Sequence, residues 1–201
     1  MPEAARFTRE EVDEAFQHFY RLGCVEEDWT GWADLFTDDA RYVEHFWGEL
    51  HGRDEIRAWI DPVMSGVPEI YTVLEWYMVD GDRVVWSLQN RRDNPDPDGP
   101  PYFDFAGLSV AQYAGDGRWS YEEDYWDVRG ARETAEAYAA ACRKMQPDLR
   151  TKLSRKHWPD EPAFARFEGE AQPTWLGRDD VRPITKPREL RELLAPLREN
   201  S

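Results

Sequence analysis

Leu35-Phe36-Thr37-Asp38-Asp39-Ala40-Arg41-Tyr42-Val43-Glu44 decides the fold, because the hydrophobic period changes inside it. Before it, Trp29, Trp32 and Phe36 fall on one side of a short helix expected over Thr30 to Phe36. Thr37-Asp38-Asp39 is a polar break. After it, Arg41-Tyr42-Val43-Glu44-His45-Phe46 alternates as a strand does. Successive strand side chains point to opposite faces, so Glu44 and His45 cannot both enter an interior.

Upstream, Thr8-Arg9-Glu10-Glu11 has the form of a capping box, with Thr8 as the cap and Glu11 reaching back. Val12, Phe16, Phe19, Tyr20 and Cys24 then recur at helical spacing, and Gly23 is the expected stop. Downstream, Gly48 to Gly52 turns the chain, and Asp54 to Val63 is expected as a third helix ending near Pro62. Strands follow: Ile70 to Val79, a turn at Asp80-Gly81, Arg83 to Asn90, a proline-rich loop, Tyr102 to Tyr113, a turn at Gly115-Asp116-Gly117, and Arg118 to Val128. Helices first and strands afterwards predict an α+β fold with a curved antiparallel sheet.

Residues 131–145 are Ala-rich and helical, while residues 146–201 carry seven of the fourteen prolines and only short apolar runs. We therefore expect one domain over residues 1–145, with its core at 8–128. Residues 146–201 form an extension that packs on this domain or on a partner, with a last short helix through Leu190, Leu193, Leu194 and Leu197. The formal net charge of −16 is uneven: residues 1–145 hold 31 Asp and Glu against 14 Lys and Arg, whereas the remainder is near neutral. Nucleic acid and anionic membranes are poor partners for such a chain. Cys24 and Cys142 have no metal-type spacing, and His18, His45, His51 and His157 form no ligand set. No apolar run approaches a membrane span. Met1-Pro2-Glu3-Ala4-Ala5-Arg6 lacks an apolar leader, so a cytoplasmic location is the expectation.

The Leu35–Glu44 stretch, the Gly52-Arg53-Asp54-Glu55-Ile56-Arg57-Ala58-Trp59 helix entry and the Gly115–Trp119 hairpin together resemble the SnoaL-like and ketosteroid-isomerase-like group of the nuclear transport factor-like superfamily. The likeness covers about residues 8–128. It implies a bent sheet wrapped around the N-terminal helix to leave a cone-shaped pocket, and a homodimer formed through the open sheet face. Members include isomerases, cyclases, dehydratases and non-catalytic accessory subunits, so the fold does not fix the function.

By that resemblance Tyr20 falls on the isomerase's oxyanion-hole tyrosine and Glu44 on its carboxylate base. Glu in place of Asp lengthens the arm by one methylene. Ser109 stands where the isomerase has its second acid, a departure that weakens the case for steroid isomerisation. Counted from the Gly115–Gly117 turn, Glu122, Asp124 and Trp126 take cavity-facing positions, while Glu123 and Tyr125 take the other face. Phe16, Cys24, Trp59, Ile60, Trp86, Phe105 and Trp126 are the expected walls, with Ser109 on the same lining. Each has an ordinary alternative: Tyr20 as a core tyrosine, the acids as solvated strand residues, the aromatics as plain core. The expected activity is acid–base chemistry, without cofactor or metal, on a hydrophobic cyclic small molecule; the alternative is a ligand-binding or accessory protein of the same fold.

Overall fold

Thr8 opens the first helix, its hydroxyl accepting from the Glu11 N–H at 3.1 Å. In the computed structural model, which describes residues 6–159 and 162–199, this helix is α1, Arg9–Tyr20. Most of the N-terminal segment quoted above lies outside the described residues. Glu11 does not complete the capping box; its carboxylate instead accepts from the Tyr113 hydroxyl at 3.0 Å. Nor does Gly23 stop the helix. The chain widens into a π turn over Arg21–Glu26 and ends at Glu27, whose φ is 54°. Gly23 is needed for space: a Cβ there would lie 2.7 Å from the Trp32 ring.

Helix α2 is Trp29–Asp34, capped by Asp28, and strand β1 follows at Phe36–Glu44. The Thr37–Asp39 break is thus within the strand, where pairing with its neighbour is irregular between Phe36 and Arg41. The strand ends at Glu44 because its carboxylate accepts the N–H groups of Phe46 and Trp47 and folds the chain into a turn. Strand β2 (Gly48–His51) leads into α3 (Gly52–Ser65), which continues past Pro62. The meander is β3 (Tyr71–Asp80), β4 (Arg83–Asp93), β5 (Tyr102–Gly115) and β6 (Arg118–Trp126). Asp116 and Gly117 both have positive φ, as a two-residue hairpin requires.

The sheet order is β2-β1-β6-β5-β4-β3. It is mixed, which corrects the antiparallel expectation: β1 and β6 run parallel, with Tyr42 opposite Glu122 and Glu44 opposite Asp124. The first strand and the last strand of the meander meet side by side through a long crossover that contains α3. Helix α1 lies on the sheet, with the Phe19 ring 5.2 Å from Trp119 and the Phe16 ring 5.2 Å from Trp86.

Helix α4 (Val128–Met145) is capped by Asp127. Then come α5 (Leu149–Lys152), the short pair β7 (Ser154–Arg155) and β8 (Gly169–Glu170), and α6 (Pro187–Glu199). This segment packs on the rest of the chain. Arg155 is buried, giving a hydrogen bond to the Val25 carbonyl at 2.7 Å and an ion pair to Glu27. Trp158 stacks on Tyr71 at 5.3 Å. Thr174 and Arg178 both reach Asp61 at 2.8 Å, and Arg198 reaches Glu55 at 2.7 Å. Among the described residues no helix is long and apolar enough to cross a membrane.

Candidate functional site

A cavity of about 340 Å³ lies between the sheet, α2, α3 and the start of α4. The sheet pairing builds its acidic end. Glu44 on β1 is opposite Asp124 on β6, Asp124 is opposite Ser109 on β5, and Ser109 is opposite Trp86 on β4. Tyr42 and Glu122 pair in the next row. Because side chains alternate, both rows face the cavity, and all six of these residues line it.

The three carboxylates are held differently. Asp124 accepts the Ser109 hydroxyl at 2.5 Å on one oxygen and the Tyr42 hydroxyl on the other. Burial pushes its pKa up, and the two donors oppose that shift. Glu44 accepts the Trp126 indole N–H and the backbone N–H groups of Phe46 and Trp47, the last two at 2.9 and 2.6 Å. Burial raises its pKa too, again against those donors. Glu122 is 4% exposed, and among the described residues its Oε2 has no hydrogen-bond partner. Burial, with the Asp124 charge adding, pushes its pKa well above the usual carboxylate range. Three carboxyl groups, two of them held by hydrogen-bond donors, therefore share one apolar space.

Cys24, Trp59, Ile60, Trp86, Phe105, Ser109 and Trp126 all line the cavity. Cys24 is no ready nucleophile, since burial pushes its thiol up to about 12. Phe16 and Tyr20 are not among the residues that line it. Phe16 is packed between helix and sheet, its ring 4.7 Å from Tyr77. Tyr20 is turned toward the C-terminal segment, 6.5 Å from the Phe164 ring. Phe19 on α1 and Cys24 in the π turn line the cavity.

Tyr42 is the phenol that sequence reasoning missed. It stands two residues before Glu44 on the same alternating face, so the signal was present. Asp93 is buried as well, but it is tied up away from the cavity by the Tyr71 hydroxyl at 2.7 Å and by Ser154 and the Lys156 N–H, both at 2.8 Å. Among the described residues no group of three or more His, Cys, Asp or Glu is arranged to hold a metal ion.

Residues 16–122, more than half of the chain, match the family model of the SnoaL-like domain. The chain belongs to the SnoaL-like family. No curated protein matches it in sequence. Solved structures share the SnoaL-like fold. A proposed SnoaL-like polyketide cyclase from Jannaschia sp. CCS1 is 21% identical, with a TM-score of 0.51 over 64% of this chain and 93% of that one. TerC, co-crystallised with polyporic acid, is 19% identical, with a TM-score of 0.51 over 63% of this chain and 98% of that one. A protein of ketosteroid isomerase-like fold from Catenulispora acidiphila DSM 44928, in complex with trimethylamine, is 16% identical, with a TM-score of 0.50 over 64% of this chain and 95% of that one. Each is matched over nearly its full length, and about a third of this SnoaL-like chain has no counterpart in them.

Proposed function

We propose that this SnoaL-like protein is a cofactor-independent enzyme acting on a hydrophobic, ring-containing small molecule by proton transfer between carboxylates, in a reaction of the isomerase, cyclase or dehydratase type. One observation carries the proposal: Glu122, whose Oε2 has no hydrogen-bond partner among the described residues, and Asp124 with two donors stand on the same strand face, two residues apart, in one apolar cavity. Asp124, kept toward its ionised form by Ser109 and Tyr42, takes a proton from carbon. Glu122, kept neutral by burial, gives one to a developing oxygen anion or a departing hydroxyl. Glu44 is the second base, fixed in place by Trp126 and two backbone N–H groups. The ligand of TerC and the cyclase description of the Jannaschia protein support a ring substrate of the polyketide, terpenoid or steroid kind. The proposal includes a sheet bent at the irregularities in β1, β3 and β5 to form the cone, a homodimer, and a cytoplasmic location.

A binding protein without turnover is the second reading, favoured by the placement of Tyr20 outside the cavity. A thermal-shift screen of aromatic polyketides, terpenoids and steroids identifies a ligand, which is then followed for chemical conversion. Glu44→Gln and Asp124→Asn are each expected to lower turnover by about 100-fold or more with affinity nearly unchanged. Tight ligands that are never converted by the wild-type protein would decide for the binding protein.

A further inference from the structure

The cavity has a second polar end that the carboxylates do not use. On β4, Trp86, Leu88, Asn90 and Arg92 follow one another on a single strand face, and all four line the cavity. Asn90 is opposite Phe105 on β5, four residues along from Ser109, so the Asn90 row lies about 13 Å from the Asp124 row. Leu88, Gly107 and Trp126 make an apolar floor between the two. Arg92 lies beyond Asn90.

Arg92 is 4% exposed. Its Nε meets Glu69 at 3.1 Å in a single contact, and its Nη1 meets Thr134 at 3.4 Å. Its guanidinium stands 5.7 Å from the centre of the Phe105 ring. A guanidinium carries five N–H donors in a planar fork, and only two of them have side-chain partners among the described residues. A buried cation with a single ion-pair contact leaves most of its donors uncompensated, and a carboxylate is the acceptor whose geometry matches the fork. The wall adds donors of its own. The indole N–H groups of Trp29, Trp59 and Trp86 are buried and have no hydrogen-bond partner among the described residues, and all three residues line this cavity. Unsatisfied donors in an apolar space are costly unless a ligand brings acceptors.

We propose that Arg92, with the Asn90 amide beside it, binds a carboxylate of the ligand at the end of the cavity remote from Glu122 and Asp124. The substrate is then an elongated ring-containing monoacid, lying across Leu88 and Gly107 with its reacting end among the carboxylates. This rests on the proposed use of the cavity, and it adds the substrate's charge and orientation. The separation of about 13 Å keeps the bound anion clear of Asp124.

The test is calorimetric, on the full-length protein, with a biphenyl carrying a carboxylate at one end and a hydroxyl at the other, alongside its methyl ester. The wild-type protein is expected to bind the acid about tenfold more tightly than the ester, the usual worth of a charge-assisted hydrogen bond. Arg92→Gln combined with Glu69→Gln, which leaves no unpaired charge, is expected to remove that preference. Arg92→Lys, which keeps the charge, retains part of it, and Asp124→Asn leaves it unchanged. Equal binding of acid and ester by the wild-type protein overturns the anchor and leaves the acid–base proposal standing. So does a preference that survives the double substitution. Failure of both probes to bind the wild-type protein defeats the anchor and the ring-binding cavity together.

Discussion

Glu122 and Asp124 share a face of β6 and differ in company. Two donors reach Asp124, while burial raises the pKa of Glu122. The consequence is a stability that depends on pH. Unfolded, Glu122 ionises near the ordinary carboxylate value of about 4.3. Folded, it keeps its proton to a much higher pH, so the native state binds more protons than the unfolded chain in between. Stability therefore falls as pH rises from the unfolded value through the folded one. Glu122→Gln keeps the shape and removes the titration. Its melting temperature should match the wild type near pH 4 and exceed it by a few degrees at pH 8, at about 2–4 °C per kcal/mol for a chain of this size. Melting curves of both proteins over that range check it; a constant difference across pH would mean that Glu122 is ionised in the folded protein.

Strand faces are the scale at which the sequence was most informative. Counting from the Gly115–Gly117 turn puts Glu122, Asp124 and Trp126 together, and alternation separates Glu44 from His45, because a strand's period is fixed by its backbone. Tyr42, Asn90 and Arg92 obey the same rule but were passed over. Tyr42 stands between Arg41 and Val43 and shows its burial only through the alternation it shares with Glu44, while polar residues at a strand end carry no local mark of burial. The course of α1 was not legible either. Within the π turn at Arg21–Glu26, Gly23 lies close against the Trp32 ring, a contact that no local pattern announces. The floor between the two polar ends gives a prediction for β5. A Cβ at Gly107 would lie 2.8 Å from a Leu88 methyl and 3.2 Å from the Asn90 amide nitrogen, both ends of side chains bordering the cavity. Gly107→Val should therefore cost about 1–3 kcal/mol in stability. It should weaken cavity ligands by tenfold or more, since the ring would have to cross the new methyl groups. Urea unfolding and calorimetry of one preparation separate the two effects, and unaltered affinity would place the ligand elsewhere.

At the scale of the whole molecule, residues beyond 145 pack along the body through contacts remote in sequence. Composition set residues beyond 145 apart but could not show where they dock, because their partners are remote in sequence: Arg155 meets Glu27, Arg178 meets Asp61, and Arg198 meets Glu55. All three are basic residues on acids of the body, the direction expected from 31 acidic against 14 basic residues in the first 145. The docking has an apolar component as well. Leu190 and Leu194 of α6 are buried, and α6 packs on α3. Ile184 and Thr185 line the cavity just before it, and the Ile184 N–H bonds the Pro62 carbonyl at 3.0 Å. Removal of α6 therefore does more than shorten the chain. It exposes two leucines' worth of apolar contact, about 1.5–3 kcal/mol each. It also strips Glu55 of its cation and loosens a wall of the site. A chain ending at residue 186 should melt roughly 10 °C lower, following the size scaling of the melting temperature. Its loss of ligand affinity should be larger than that of Arg198→Ala, which breaks the ion pair and leaves Leu190, Leu194 and Ile184 in place. If the two variants weaken binding equally, the ion pair alone sets the position of α3, and the apolar docking of α6 is irrelevant to the site.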